Sequence, residues 1–114
     1  MAHAKNLNKT VVRIARQFKE LLEAQRTPVQ RVIIFGSYAR GGARPDSDID
    51  ICIISPKFGK DSVREMQFLS RQSRKIDTRI EPIPVSPKEY RETATPLIWE
   101  IKKYGREIRM DSKR

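Results

Sequence analysis

Residues 36–50 read GSYARGGARPDSDID: a Gly-Ser pair, a loop carrying two arginines, then three aspartates within five positions. Upstream, RVIIF (31–35) is a β-branched run typical of a buried strand. Gly36 and Ser37 end it. A strand that stops at Gly-Ser and turns into a short helix offers unpaired backbone N–H groups to phosphate, and glycine lets the ligand come close. Downstream, a second strand is expected over Asp48 to Ile54, with Asp48 and Asp50 on one face and Ile49, Ile51 and Ile53 on the other. At a rise of roughly 3.3 Å per residue the two carboxylates stand about 6.6 Å apart along the chain.

Like charges on one face repel, and burying either unpaired would cost several kcal/mol. The bland explanation is a solvated face of an antiparallel sheet. The Gly-Ser turn beside the pair argues for divalent cations instead. Oxygen ligands with water-filled positions suit magnesium, and two ions about 3.5–4 Å apart can activate an attacking oxygen and stabilise a leaving phosphate. A third carboxylate should come from a neighbouring strand. KIDTRIEPIPV (75–85) is expected to alternate Asp77, Arg79 and Glu81 against Ile76, Thr78 and Ile80. Asp77 is the expected third ligand, set against a plain salt bridge to Arg79 or Lys75. Glu81 is the alternative, disfavoured because Pro82 reads as the strand's end. Asp46, ahead of the second strand, reads as a turn residue. Arg40 and Arg44 are candidate phosphate contacts, since a guanidinium can pair with phosphate oxygens. Ser37 and Ser47 are binding or capping hydroxyls rather than nucleophiles.

The rest of the chain supplies a frame. Val11, Ala15, Phe18 and Leu22 share one face of a helix predicted over 8–25, which should cover a sheet. A helix over 61–74 is expected to open with a Ser62–Glu65 capping box, and SPKEY (86–90) with Ser86, Pro87 and Glu89. A further helix runs from Thr95 and Pro96 to Gly105, and REIRM (106–110) can add a last strand. The order α, β, β, α, β, α, β predicts an α/β (α+β) fold: a small mixed sheet with helices packed on one face.

At 114 residues the chain suits one domain, 1–114 with a core over about 10–110, and is too short for a catalytic domain plus a separate substrate-recognition domain. No apolar run is long enough for a membrane span. The N-terminal stretch lacks a secretory pattern and Cys52, the single cysteine, excludes an internal disulfide, so a cytoplasmic protein is expected. Cys52 itself reads as core, and His3 as part of a frayed tail. The formal charge is +10, yet residues 31–55 hold three basic and three acidic residues, against fifteen and nine from 56 onward. Much of the excess is a solvated surface, with polyanion steering as the sharper reading.

The stretch FGSYARGGARPDSDIDI resembles the signature of the DNA polymerase beta nucleotidyltransferase superfamily: an apolar residue, Gly-Ser, about ten residues, then Asp-apolar-Asp-apolar. In so short a chain it is similar to the minimal nucleotidyltransferase proteins, many of which pair with a small helical HEPN-type protein. KIDTRIEPIP resembles the strand bearing the superfamily's third metal-binding aspartate, which favours Asp77 over Glu81, and IWEIKKYGREI resembles the minimal family's closing segment. The resemblance implies a polymerase-beta-like nucleotidyltransferase fold and metal-dependent transfer of a nucleoside monophosphate, AMP from ATP, to a hydroxyl acceptor. Gly36 and Ser37 would hold the triphosphate, Asp48 and Asp50 both metals, and Asp77 the catalytic one. An antitoxin-like role on a HEPN-type partner follows. Two other classes stand beside it: a catalytically weak module that neutralises its partner by binding, and an RNA-binding or tailing protein.

Overall fold

A computed structural model describes residues 7–109. Asn8 starts the first helix, α1 (Lys9–Ala24), by accepting from the backbone N–H groups of Thr10 (2.7 Å) and Val11 (3.2 Å). Val11, Ala15, Phe18 and Leu22 are buried along it, as the spacing predicts, and Ile14 is buried with them. β1 (Arg31–Phe35) follows, then a single helical turn, α2 (Ser37–Arg40), and β2 (Ile49–Ile54). α3 (Ser62–Arg74) leads into β3 (Ile80–Val85), and α4 (Pro87–Glu92), α5 (Pro96–Tyr104) and β4 (Arg106–Ile108) close the chain. Met110 of the expected last strand, like His3, lies outside the described residues.

The sheet order is β3-β2-β1-β4, with β1 antiparallel to both β2 and β4, and β2 parallel to β3. It is the small mixed sheet the sequence predicts. Val32, Ile34, Ile49, Ile51, Ile53 and Ile80 meet α1 and α3 on one face. The opposite face is not bare, contrary to the expectation of helices on one face. Ile33, Phe35, Cys52, Ile54 and Val85 form a second core there with Ile98 and Ile101 of α5. Cys52 is fully buried in it, and burial pushes its thiol up to about 12.

Local chemistry sets the boundaries. The capping box of α4 is present, Ser86 and Glu89 each bonding the other's backbone N–H. Thr95 caps α5. At α3 the cap is Asp61 rather than Ser62, because Glu65 turns outward to accept from the N–H groups of Gly59, Lys60 and Asp61 and so ties down the preceding loop. Pro82 and Pro84 do not end β3. It is an edge strand, and the carbonyls of Arg79 and Val85 point at β2, so the even-numbered prolines turn their missing donors to the open edge.

Candidate active site

α5 covers only part of the second face, and the uncovered part carries the charge. Phe35 stands directly across from Asp50 in the antiparallel register, and on Asp50's other side the parallel register places Glu81. Asp50 therefore sits between an apolar neighbour and an acidic one. It is half-buried, and burial first, then the negative charges of Asp48, Glu81 and Glu100, push its carboxyl up to about 6. Asp48, two residues earlier, and Glu81 are exposed.

Gly36 has φ 73° and ψ −150°, a conformation closed to most side chains. A Cβ on it would overlap the carboxylate of Asp50. Two independent constraints thus demand glycine, and together they press the backbone at the start of α2 against the acidic cluster. The first N–H groups of that turn, beginning with Ser37, have no acceptor within the helix. Gly41, at φ 94°, ends the turn at once and sends the chain into the loop toward β2.

The loop is held by its own residues. The Ser47 hydroxyl accepts from the backbone N–H of Arg44 (2.8 Å), the Ser47 N–H donates to the Arg44 carbonyl (3.0 Å), and the Tyr38 hydroxyl donates to that same carbonyl (3.0 Å). Arg44 lines an open groove of about 350 Å³ with Asn8, Thr10, Tyr38 and Arg79. Tyr38 packs on the α1 and α3 core, so this groove opens on the side of the loop away from Asp50. Arg40, the last residue of α2, turns to α5 and stacks on the ring of Tyr104, 4.3 Å from its centroid.

Asp77 is placed differently from the sequence expectation. It lies in the turn before β3, not on the strand's acidic face. Arg79 folds back on it, donating to its carboxylate from the backbone N–H (2.9 Å), Nε (3.1 Å) and Nη2 (3.0 Å). The Arg79 side-chain bonds hold the Asp77 carboxyl below its ordinary value. The same guanidinium donates from Nη1 to the carbonyl of Pro45 (2.7 Å), tying this turn to the loop that leads to Asp48. The reason is local: a carboxylate two residues before an arginine closes its own turn, and the strand begins only after it.

Sequence reading ranked Glu81 second and missed Glu100 and Tyr104. Glu81 had a signal in its acidic alternation. Glu100 and Tyr104 had none, since only the packing of Ile98 and Ile101 turns that flank of α5 toward the site.

The family is decided by the nucleotidyltransferase domain model, which matches residues 13–109. The chain belongs to the nucleotidyltransferase domain family. A relative from Methanocaldococcus jannaschii, named "Putative protein adenylyltransferase", is 33% identical over 102 residues, spanning 86% of this chain and 98% of the relative. The fold of this nucleotidyltransferase matches a toxin–antitoxin structure containing AMP-PNP, with 20% identity, a TM-score of 0.62, and 86% of this chain and 74% of that one covered. It also matches a Shewanella oneidensis complex of a tri-AMPylated HEPN toxin with an MNT antitoxin, with 18% identity, a TM-score of 0.57, and 87% and 71% covered.

Among the described residues no three His, Cys, Asp or Glu side chains form a ready-made metal group. Magnesium does not require one, because it is commonly held by one or two carboxylates with substrate phosphates and water. Asp50, its proton affinity raised first by burial and then by three neighbouring carboxylates, is a group whose charge a bound cation would relieve. Asp50 with Asp48 or Glu81 beside it offers such a pair of carboxylates.

Among the described residues no helix is long and apolar enough to cross a membrane.

Proposed function

We propose that this nucleotidyltransferase transfers AMP from ATP to a hydroxyl on a partner protein, as the antitoxin-type half of a pair with a small helical HEPN-type protein. The observation that carries the reading is the contact of Gly36 with Asp50: a phosphate-binding turn pressed on a carboxylate that already shares its face with Asp48 and Glu81. The name of the archaeal relative and the AMP-bearing partner in the Shewanella complex support the choice of nucleotide and acceptor.

In this reading the N–H groups at Gly36 and Ser37 hold the triphosphate, and Asp48, Asp50 and Glu81 hold two magnesium ions. Bound magnesium would neutralise phosphate charge and acidify the acceptor hydroxyl. The acceptor oxygen forms a bond to the α-phosphorus, the bond from that phosphorus to the β-phosphate bridging oxygen breaks, and pyrophosphate leaves. Glu81, exposed and adjacent to Asp50, takes the place expected for Asp77 and receives the hydroxyl proton. Arg79 is a positioning residue, fixing the loop before Asp48 through Pro45. Ser47 and the backbone of Arg44 brace that loop, and Arg40 is the guanidinium free to swing from Tyr104 toward phosphate. Little covalent work falls to the protein, as in phosphoryl transfer generally.

The test is incubation with each labelled nucleoside triphosphate and magnesium, with and without the product of the neighbouring gene. Label from ATP on a partner hydroxyl is expected. No label on any protein, with nucleotide binding intact, contradicts the reading, and label on RNA moves it to the tailing alternative.

A further inference from the structure

The wall of the candidate site carries a second feature that the nucleotide chemistry leaves unused. α5 exposes Trp99 (56%) and Leu97 (39%), large apolar side chains. Trp99 meets Tyr104 edge to face at 6.2 Å between ring centroids. Lys103 lies over both rings, 5.0 Å from the Trp99 centroid and 5.9 Å from that of Tyr104, and Arg40 covers Tyr104 at 4.3 Å. Lys102 lies on the same helix, stacked over Tyr90. Among the described residues neither Arg40, Lys102 nor Lys103 has a carboxylate partner.

The surface is thus apolar at Trp99 and Leu97 and cationic at Arg40, Lys102 and Lys103, on a helix whose Glu100 adds its charge at Asp50. Exposed Trp99 beside Tyr104 and its stacked Arg40 is the composition of an interaction hot spot rather than of a solvated helix face. Charge complementarity selects the occupant. Unpaired lysines beside exposed apolar side chains fit a protein segment with carboxylates flanking an apolar or aromatic residue. Single-stranded nucleic acid is the poorer fit, because stacking needs open ring faces and Lys103 already lies over both Trp99 and Tyr104.

We propose that the exposed flank of α5, centred on Trp99 with Lys102 and Lys103, docks the acceptor protein through an acidic, aromatic-containing segment and thereby delivers its hydroxyl to Asp50. The identity of this acceptor class rests on the transfer reading above. The docking itself does not, and the experiment separates them.

Trp99 is the single tryptophan, so its fluorescence reports on the surface without turnover. The full chain, without nucleotide, is titrated with a random glutamate–tyrosine copolymer, a lysine–tyrosine copolymer and a single-stranded oligonucleotide. The glutamate–tyrosine copolymer is expected to change Trp99 emission at concentrations at least tenfold below the other two, and Lys102→Glu with Lys103→Glu to weaken that binding at least tenfold. With labelled ATP and magnesium added, the same double variant should raise KM for the copolymer about tenfold and leave kcat within twofold. Binding of the copolymer without label transfer supports docking and counts against the chemistry. Label transfer with binding and KM unchanged in the variant overturns docking and leaves the chemistry standing. Emission unmoved by the acidic copolymer, or tighter binding of the oligonucleotide, overturns the proposal.

Discussion

Asp50 and Asp77 lie on adjoining parts of the molecule and face opposite situations. Asp77 is answered: Arg79 closes on it with three hydrogen bonds, and its proton is lost more easily than usual. Asp50 is unanswered: it is half-buried, three carboxylates add their charge, and its value rises to about 6. A satisfied carboxylate stabilises the chain that carries it. An unsatisfied one, kept where a glycine brings the start of a helical turn against it, is in the proposed reading a place prepared for an ion and a nucleotide.

The strongest way to break this contrast is to neutralise each aspartate and measure nucleotide transfer. Asp50→Asn is expected to lower transfer about a thousandfold, the kinetic equivalent of about 4 kcal/mol. Asp77→Asn should lower it less than tenfold. Equal losses would erase the distinction. Glu81→Gln belongs with Asp50 and should cost about a hundredfold in kcat. A smaller but still large effect is expected at Gly36→Ala, where a methyl group overlaps Asp50 and the backbone is held at positive φ. Loss of about 1–3 kcal/mol in urea unfolding is expected, accompanied by loss of transfer.

Stability against pH sharpens the comparison because the two groups have opposite signs. Asp50 has a folded value above its ordinary 3.8, so its stabilising contribution is full below 3.8 and is lost as pH rises through about 6. Asp77 has a folded value below 3.8, so its contribution is present above 3.8 and is lost as pH falls through the folded value. At pH 7.5 without metal, Asp50→Asn should therefore stabilise the protein by about 1 kcal/mol after solvent screening, or about 4 °C in Tm. The gain should shrink toward pH 4. Asp77→Asn should destabilise by about 1 kcal/mol, nearly constant between pH 5 and 8. A stabilised Asp77→Asn would contradict the reading.

How much of this was legible in the sequence follows from the range of the interactions. The Gly-Ser turn, the two strands around it, the helical face of α1 and the start and stop of α5 are set by local patterns, and they stand where the residues put them. The family signature lies within one contiguous stretch and was legible for the same reason. The placing of Glu81 beside Asp50 was not, because it depends on the parallel register of β2 with β3, a pairing between residues far apart in sequence. Two local cues misled in the same direction. Pro82 reads as a strand end but belongs to an edge strand, and Asp77 reads as a strand residue but is taken by an arginine two positions on. The second core under α5 was likewise hidden, since Cys52 and Ile54 sit opposite Ile51 and Ile53 in an unbroken apolar run that does not say which face is covered.

The most direct test of the central claim is manganese binding, followed by electron paramagnetic resonance in the presence of a non-hydrolysable ATP analogue. The account predicts that bound manganese is lost in Asp50→Asn and weakened at least tenfold in Glu81→Gln, and is unchanged within twofold in Asp77→Asn. Full binding in Glu81→Gln with loss in Asp77→Asn would contradict it, and would return the third ligand to the turn before β3.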